Sequence, residues 1–203
     1  MDIPVSAKLK RAVDVIFADV QHAYVHYYYW VALDKMLADN QSILNTHAWF
    51  LHDTRHAHSC VVAHSLMRLF DQHKDAYGFI NFLLGIKSTH SDSEYSIIAD
   101  KYITNINTDP INNMIKRLTC IRDETYAHID KRSIIRNPSL NPPAQLSLSE
   151  IKELIDFSIR IIEEYANLFN ISHGYIKNCI AEPNTEVLLK TLEQLCLHKP
   201  VNP

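Results

Sequence analysis

The chain has 203 residues, of which 47% are apolar and 21% charged, and its formal net charge is −3. This length fits one domain with a sizeable core, and the slightly acidic balance does not favour nonspecific binding to long nucleic acid. No uncharged apolar run approaches the length of a membrane-spanning helix, and the first residues do not resemble a signal peptide, so we expect a cytoplasmic protein.

Glycine is scarce, with three residues in the whole chain. Sheets need frequent turns, and turns favour glycine and proline, so long periodic runs without these residues predict an all-α fold. The four cysteines form no CxxC pair, which argues against a zinc or redox motif of the usual spacing. We interpret them as small core residues: Cys60, Cys120, Cys179 and Cys196.

The first predicted helix runs from Ser6, its cap, to about Asn40. Its middle, HAYVHYYYWVAL, carries aromatic side chains on every side, as expected of a helix that crosses a domain. Four aromatics are consecutive: Tyr27, Tyr28, Tyr29 and Trp30. A base-stacking platform would need them on one face, so we interpret them as core.

A second helix is predicted from about Ser42 to Gln72 and holds the histidine-rich segment THAWFLHDTRHAHSC. His52 and His56 lie four residues apart, the spacing of two ligands in HxxxH metal sites. No further acidic or cysteine ligand follows at a supporting spacing, so we interpret both as solvated or hydrogen-bonded histidines. We expect neither a metal site nor a cofactor.

The phrase MRLFD closes this helix and contains Arg68 and Asp71. A pair three residues apart supports a helix by itself, although either member could instead reach a neighbouring helix. We predict a structural salt bridge in which Asp71 satisfies Arg68, and we keep Asp71 as a weaker candidate partner of Arg122.

Two shorter helices follow in the prediction. The first covers residues 75–86, and the second lies within STHSDSEYSIIADKYI, with Ser91 or Asp92 as its cap. The chain then breaks before the next helix, which has Asp109 as its cap and Pro110 at its first position.

The next helix, over residues 111–130, reads INNMIKRLTCIRDETYAHID and carries the main functional prediction. At about 100° per residue, its apolar stripe consists of Ile111, Met114, Ile115, Leu118, Ile121, Thr125 and Ile129. Arg122 falls inside this stripe. Because a guanidinium keeps its charge, it must meet a carboxylate, a partner chain or a bound anion. His128, which titrates near neutrality, lies on the edge of the same stripe.

Basic residues surround this helix although the whole chain is slightly acidic. The following segment, KRSIIRNPSLNPPAQLSL, contains prolines that exclude regular helix, so a loop of about fifteen residues leaves the motif. That loop could cover the site or hold a nucleic-acid backbone. The local field could therefore be positive, and the candidate RNA-binding residues are Lys116, Arg117, Lys131, Arg132 and Arg136.

Ser147 and Glu150 form an S-x-x-E capping box that opens a strongly amphipathic helix with apolar positions as far as Phe169, and Gly174 and Pro183 bracket the helix end and the connector. A last helix is predicted from about Asn184 to His198. Since no internal repeat is present, we predict one domain over residues 1–203, an antiparallel helical bundle with additional helices.

The segment RDETYAH, from Arg122 to His128, resembles the signature of HEPN domains (higher eukaryotes and prokaryotes nucleotide-binding). The longer phrase RDETYAHID is similar to the AbiU-type branch associated with phage abortive infection, and the resemblance continues upstream in HSLMRLFD. Arg68 and His73 have a similar spacing, but Leu69 follows that arginine where the family pattern has a polar residue. We therefore prefer Arg122 and His128.

The resemblance implies a metal-independent endoribonuclease that cleaves RNA in phage defence, or as the toxin of a toxin-antitoxin pair whose partner is an antitoxin protein. It also implies a homodimer in which both motif helices line one cleft. Helix geometry gives a separate motive for pairing. Arg122 and His128 are ~120° apart around an ideal helix and ~9 Å apart along it, so a two-fold axis would bring complementary halves together.

The implied roles divide the motif residues by chemistry. His128 would move a proton to or from the reacting oxygens, Arg122 would stabilise charge on phosphate, and Asp123 would orient the arginine. The supporting residues are Glu124, Tyr126 and Asp130. The alternative is a non-catalytic HEPN-like module that binds a nucleotide or a partner protein through the same helix.

Overall fold

The computed structural model describes residues 7–39, 41–90, 93–121 and 146–169, together with Lys190 and Gln194. Within these ranges it contains six helices and no strand, which confirms the predicted all-α fold. The helices are α1 (Ala7–Asp39), α2 (Gln41–Leu69), α3 (Phe79–Thr89), α4 (Glu94–Ile106), α5 (Ile111–Ile121) and α6 (Leu148–Leu168). No helix in the described part of the chain combines the length and apolarity needed to span a membrane.

The chain divides into two compact units. The described residues of the first unit lie in 7–20, 65–90, 93–121 and 146–169, and those of the second lie mainly in 21–39 and 41–64. The first unit buries one stripe from each of its helices, as amphipathic sequences require. Its largest fully buried side chains include Ile16, Leu69, Phe79, Leu83, Ile86, Ile106, Leu154, Ile155 and Tyr165.

The connector between α2 and α3 explains why α3 begins later than predicted. The sequence favoured helix from residue 75, whereas α3 starts at Phe79. The Asn81 side chain donates hydrogen bonds to the carbonyl oxygens of His73 (2.6 Å) and Ala76 (2.9 Å), which holds the connector as a compact turn. A Cβ atom on Gly78 would lie 2.5 Å from the Asp71 carbonyl oxygen, so this close approach requires glycine.

The boundaries of α4 and α5 also differ slightly from the sequence prediction. Ser93 occupies the N-cap position of α4, while the predicted caps Ser91 and Asp92 lie outside the described residues. The break before α5 is confirmed, but α5 begins at Ile111, one residue after Pro110. Helix ends are commonly uncertain by this amount.

An ion pair between the exposed Arg68 and a buried carboxylate joins the first part of α1 to the end of α2 within the first unit. Asp19 is only 3% exposed, and the Arg68 Nε donates a 3.0 Å hydrogen bond to its Oδ2. The Arg68 Nη2 pairs with the other carboxylate oxygen. The predicted pairing of Arg68 with Asp71 is therefore wrong, because the arginine meets a carboxylate 49 residues away instead.

Packing of α4 on α6 is completed by tyrosine hydroxyls. Tyr102 donates to the carbonyl oxygen of Arg160 (3.2 Å) and also contacts the Glu164 carboxylate, which accepts a 2.8 Å hydrogen bond from Lys101. Burial and the Glu164 hydrogen bond raise the pKa of Tyr102 above its usual range. The hydroxyl is therefore a protonated donor at neutral pH.

In the second unit the later part of α1 runs antiparallel to α2. Leu33 and Met36 pack on Leu51, and Asp34 pairs with Arg55. The exposed fractions of the aromatic run support the core interpretation most clearly for Tyr27, which is 7% exposed. The other three members of the run, Tyr28, Tyr29 and Trp30, are half-buried.

Removing Arg68 should leave the Asp19 carboxylate buried without its cation. Because Arg68 is itself 67% exposed, water can partly replace it, and we expect Arg68→Ala to lower the free energy of unfolding by about 1–3 kcal/mol, measured by urea denaturation. Lys87→Ala is the matched control, since it removes one member of the exposed Lys87–Asp100 pair (2.6 Å) and should cost less than about 1 kcal/mol. Equal losses in the two variants would contradict the interpretation.

Gly78 and Gly85 give a second prediction, in which each substitution serves as the control for the other. Gly78→Ala should destabilise the protein because the new methyl group meets backbone oxygen, whereas a Cβ at Gly85 in α3 meets nothing within 4 Å. Gly85→Ala should instead stabilise it by about 0.5–1 kcal/mol, the difference in helix propensity. Thermal denaturation should move in opposite directions for the two variants, and a shared direction would be inconsistent with the connector geometry.

Candidate functional site

Helix α5 is the element that leads into the motif. Its buried side chains are Ile111, Met114, Ile115 and Leu118, which confirms the predicted apolar stripe as far as the helix is described. Lys116 is exposed on the opposite side, and Ile121 is half-buried at the end. Helix α5 therefore follows the helical period of its apolar residues, with one face buried in the core and the other exposed to solvent.

The remaining site residues lie outside the described part of the chain, which ends at Ile121 and resumes at residue 146. They are Arg122, Asp123, Glu124, Tyr126, His128, Asp130, Lys131, Arg132 and Arg136. Thr125 and Ile129 of the predicted stripe, and the proline-rich loop, fall in the same interval. Their arrangement stays a prediction.

Arg117 is anchored to the start of α6. Its Nη2 donates a 3.3 Å hydrogen bond to Glu150 Oε2, and its Nη1 pairs with the other oxygen, an arrangement in which the planar guanidinium faces a carboxylate. Both side chains are about one-quarter to one-third exposed, at 26% and 30%. Arg117 thus orients α5 against α6, and its predicted contact with RNA stays a prediction.

The same glutamate caps α6, as the sequence predicts. The Ser147 backbone N–H donates to Glu150 Oε2 at 2.7 Å, and the Glu150 N–H donates to the Ser147 hydroxyl at 3.3 Å. Hydrogen bonds from the Ser147 backbone, then from Arg117, lower the pKa of Glu150 to about 2. The Glu150 carboxylate therefore takes part in the N-terminal cap of α6 and also pairs with Arg117 of α5.

A cleft of about 1040 Å³ lies beside the available face of α5. Its other walls are the end of α2 with the connector that follows, and the turn at Asn107 before α5. Apolar side chains line its floor: Met67, Phe70, Ile115 and Leu118. Polar side chains line the rest: Asp71, Gln72, His73, Asn107, Asn112, Lys116, Thr119 and Cys120.

The cleft changes the interpretation of two residues. Cys120 is exposed in it, so the prediction that this cysteine lies in the core is wrong. His73, set aside in the sequence because Leu69 follows Arg68, also lines the cleft. The Asp71 Oδ1 accepts a 2.9 Å hydrogen bond from the His73 backbone N–H, which fixes both residues at the rim.

The histidine-rich segment of α2 does not gather metal ligands as the HxxxH spacing might suggest. His52 and His56 are both exposed, and the His56 Nε2 lies 3.5 Å from Cys60 Sγ, one helical turn on. Among the described residues, no group of three or more His, Cys, Asp or Glu is arranged to hold a metal ion.

Sequence reasoning missed the cleft and the role of Glu150 toward Arg117. The S-x-x-E phrase indicated the cap, but nothing local indicates which cation meets the glutamate 33 residues away. The burial of Asp19 could have been predicted from the sequence, since this residue lies among the apolar positions Ile16 and Val20 of α1. A charge in an apolar stripe calls for a partner, by the same argument used for Arg122.

A family model described as AbiU2, from the HEPN group, matches residues 6–185. The matched range includes all six helices and the whole phrase RDETYAHID. No curated protein and no solved structure matches the chain.

The lowered pKa of Glu150 predicts how the cap responds to pH. Because the folded pKa (about 2) is below the unfolded value (4.5), the charged form stabilises the fold above about pH 4.5, and this contribution is lost as the pH falls toward 2. The difference in melting temperature between wild type and Glu150→Gln should therefore shrink over that interval. Glu163→Gln, at an exposed carboxylate of the same helix, should show little difference at any pH.

Proposed function

The chain belongs to the AbiU2 family of HEPN domains, and from this premise we propose that it is a metal-independent endoribonuclease of phage defence that acts as a homodimer. An abortive-infection-related HEPN domain is the broader description that the family supports. The observation that carries the proposal is the open cleft beside α5, directly before the segment RDETYAH.

The position of the cleft connects it to the proposed catalytic residues. Leu118 and Thr119 line the cleft, and Arg122 follows them by four and three residues. Residues at these spacings share one side of a helix. If α5 continues as the sequence predicts, Arg122 would be directed to the side on which the cleft opens, and His128 would follow further along.

The cleft offers complementary surfaces for a nucleotide chain. Lys116 supplies a positive charge for a phosphate at the rim, and the edges of the largely buried apolar side chains, among them Phe70, form the floor beneath it. The amide side chains of Asn107 and Asn112 lie at the same rim. The lining thus combines one cation, the Asp71 carboxylate, neutral polar groups and an apolar floor, and we propose that a short single-stranded segment binds with its phosphate at Lys116 and away from Asp71.

The chemistry follows from general acid–base catalysis on RNA. One His128 would accept the proton of a ribose 2′-hydroxyl as its oxygen attacks phosphorus, and the other His128 of the dimer would donate a proton to the departing 5′-oxygen. Arg122 would stabilise the charge that develops on the phosphoryl oxygens, with Asp123 orienting it. The products would be a 2′,3′-cyclic phosphate and a 5′-hydroxyl.

A second candidate function uses the same cleft without catalysis. Its volume, about 1040 Å³, is at the upper end of the range for small-molecule sites, so a mononucleotide would fit. In this alternative the protein would be a HEPN-like module that binds a nucleotide or a partner protein, such as an antitoxin. Nucleotide binding with no cleavage of any RNA would favour it.

The decisive experiment is RNA cleavage by purified protein in EDTA. We expect single-stranded or structured RNA to be cut with 2′,3′-cyclic phosphate ends, since neither proposed group needs a metal. His128→Ala should lower the rate by about 10² to 10⁴, and Arg122→Ala should also lose activity while remaining dimeric in sedimentation. Lys116→Ala should raise KM more than it lowers kcat, because it contacts phosphate away from the reacting bond.

The control is a histidine that is not among the residues lining the cleft. His73 is unsuitable because it lines the cleft, so His52→Ala, at an exposed position on α2, is the better choice and should leave cleavage intact. Persistent activity of His128→Ala would exclude the proposed mechanism. A wild-type protein that sediments as a monomer at micromolar concentration would exclude the composite dimer site.

A further inference from the structure

Two histidines of the second unit meet between its helices. His26 lies on α1 and His58 on α2, and their Nδ1 atoms are 2.8 Å apart. Their ring centroids are separated by 4.9 Å at an interplanar angle of 49°. The Tyr29 ring lies beside His58, with 5.2 Å between centroids, and His22 approaches His26 by its edge at 6.4 Å.

Both imidazoles are uncharged, the state from which a metal-binding tautomer can form. Burial and the neighbouring imidazoles lower the pKa of His26, and burial lowers the pKa of His58, so both rings are neutral at pH 7. In the structure one Nδ1–H must donate to the other Nδ1, because two bare lone pairs at 2.8 Å would repel. Binding a cation would require a change of tautomer at the donor together with a rotation of the two rings, so that both lone pairs point at the cation and not at each other.

The separation of the nitrogens is close to that of two ligands on one cation. With Zn–N bonds of about 2.0–2.1 Å and a tetrahedral angle, two ligand nitrogens lie about 3.3 Å apart. The pair would therefore need to open by only about half an ångström. Both side chains are half-buried, which leaves a solvent path for the cation and for water ligands.

We propose that His26 and His58 form a binding site for a borderline divalent transition-metal cation, of the class of Zn²⁺, Ni²⁺ and Cu²⁺, that links α1 to α2 within the second unit. Imidazole nitrogen suits these ions and does not suit Mg²⁺ or Ca²⁺. Water completes the coordination, since the described residues place no third protein ligand there. Exposed His22, one turn before His26, is the nearest additional imidazole.

The charges near the pair permit a cation. Asp34 and Arg55, two turns along α1 and one turn before His58 on α2, neutralise each other in their own ion pair. The groups nearest the nitrogens are then neutral imidazoles and the Tyr29 ring. The site is separate from the proposed ribonuclease chemistry, which uses residues of the first unit and operates in EDTA.

The test uses the full-length protein without a histidine tag, with Ni²⁺ or Zn²⁺ as the ligand and Mg²⁺ as the control cation. Binding at ten times the dissociation constant should raise the melting temperature by about 3–6 °C. His26→Gln and His58→Gln should each abolish the shift. His52→Gln and His56→Gln, the exposed pair on α2, should retain it.

A second measurement on the wild type does not depend on the folding of any variant. Electron paramagnetic resonance of one equivalent of Cu²⁺ should show coupling to two imidazole nitrogens. An unchanged shift in His26→Gln, equal loss in all four variants, or a Cu²⁺ spectrum without imidazole coupling would each overturn the site. In those cases the pair is a hydrogen-bonded contact only. RNA cleavage in EDTA should be independent of either result.

Discussion

The buried carboxylate of Asp19 imposes the constraint on which the first unit depends. A carboxylate that is 3% exposed needs a cation and hydrogen-bond donors, because the cost of removing it from water is several kcal/mol. Arg68 supplies both, and it can do so only if the end of α2 lies against the first part of α1. The connector that follows α2 begins at this fixed point and forms one wall of the cleft.

A second ion pair sets the opposite wall. Arg117 and Glu150 join α5 to the first turn of α6, and the glutamate already serves as the reciprocal member of a capping box. Because the guanidinium is planar, it presents two nitrogens to the carboxylate at once and loses less conformational freedom for each hydrogen bond formed. Helix α5 is thereby oriented with its apolar stripe in the core and with Lys116 and Thr119 toward the cleft. One wall of the cleft thus depends on the Asp19–Arg68 pair and the other on the Arg117–Glu150 pair. The floor of the cleft depends on the burial of apolar side chains.

The two units carry different chemistry. The first unit presents a lysine, a carboxylate, amides and apolar side chains in a cleft beside α5, the helix that precedes the segment RDETYAH in the sequence. The second presents two neutral imidazoles across a helix pair, which suits a transition-metal cation. Burial acts in both units, but it keeps a tyrosine hydroxyl protonated in one and keeps histidines uncharged in the other.

The sequence by itself determined the features that depend on neighbours along the chain. The all-α fold, the stripe of α5, the break before it and the Ser147–Glu150 cap all follow from helical spacing and local hydrogen bonds, and the phrase RDETYAHID indicated the family. The start of α3 was predicted too early, because Gly78 packs on backbone that belongs to the preceding turn.

Only the tertiary structure decided which distant groups meet. In the folded protein Arg68 pairs with Asp19 rather than with Asp71, and Glu150 pairs with Arg117. Cys120 is exposed in a cleft, and His26 lies against His58. These contacts join residues separated by roughly thirty to fifty positions, and no local period encodes them. They arise because burying several amphipathic stripes together leaves few ways to satisfy each charge and each polar hydrogen.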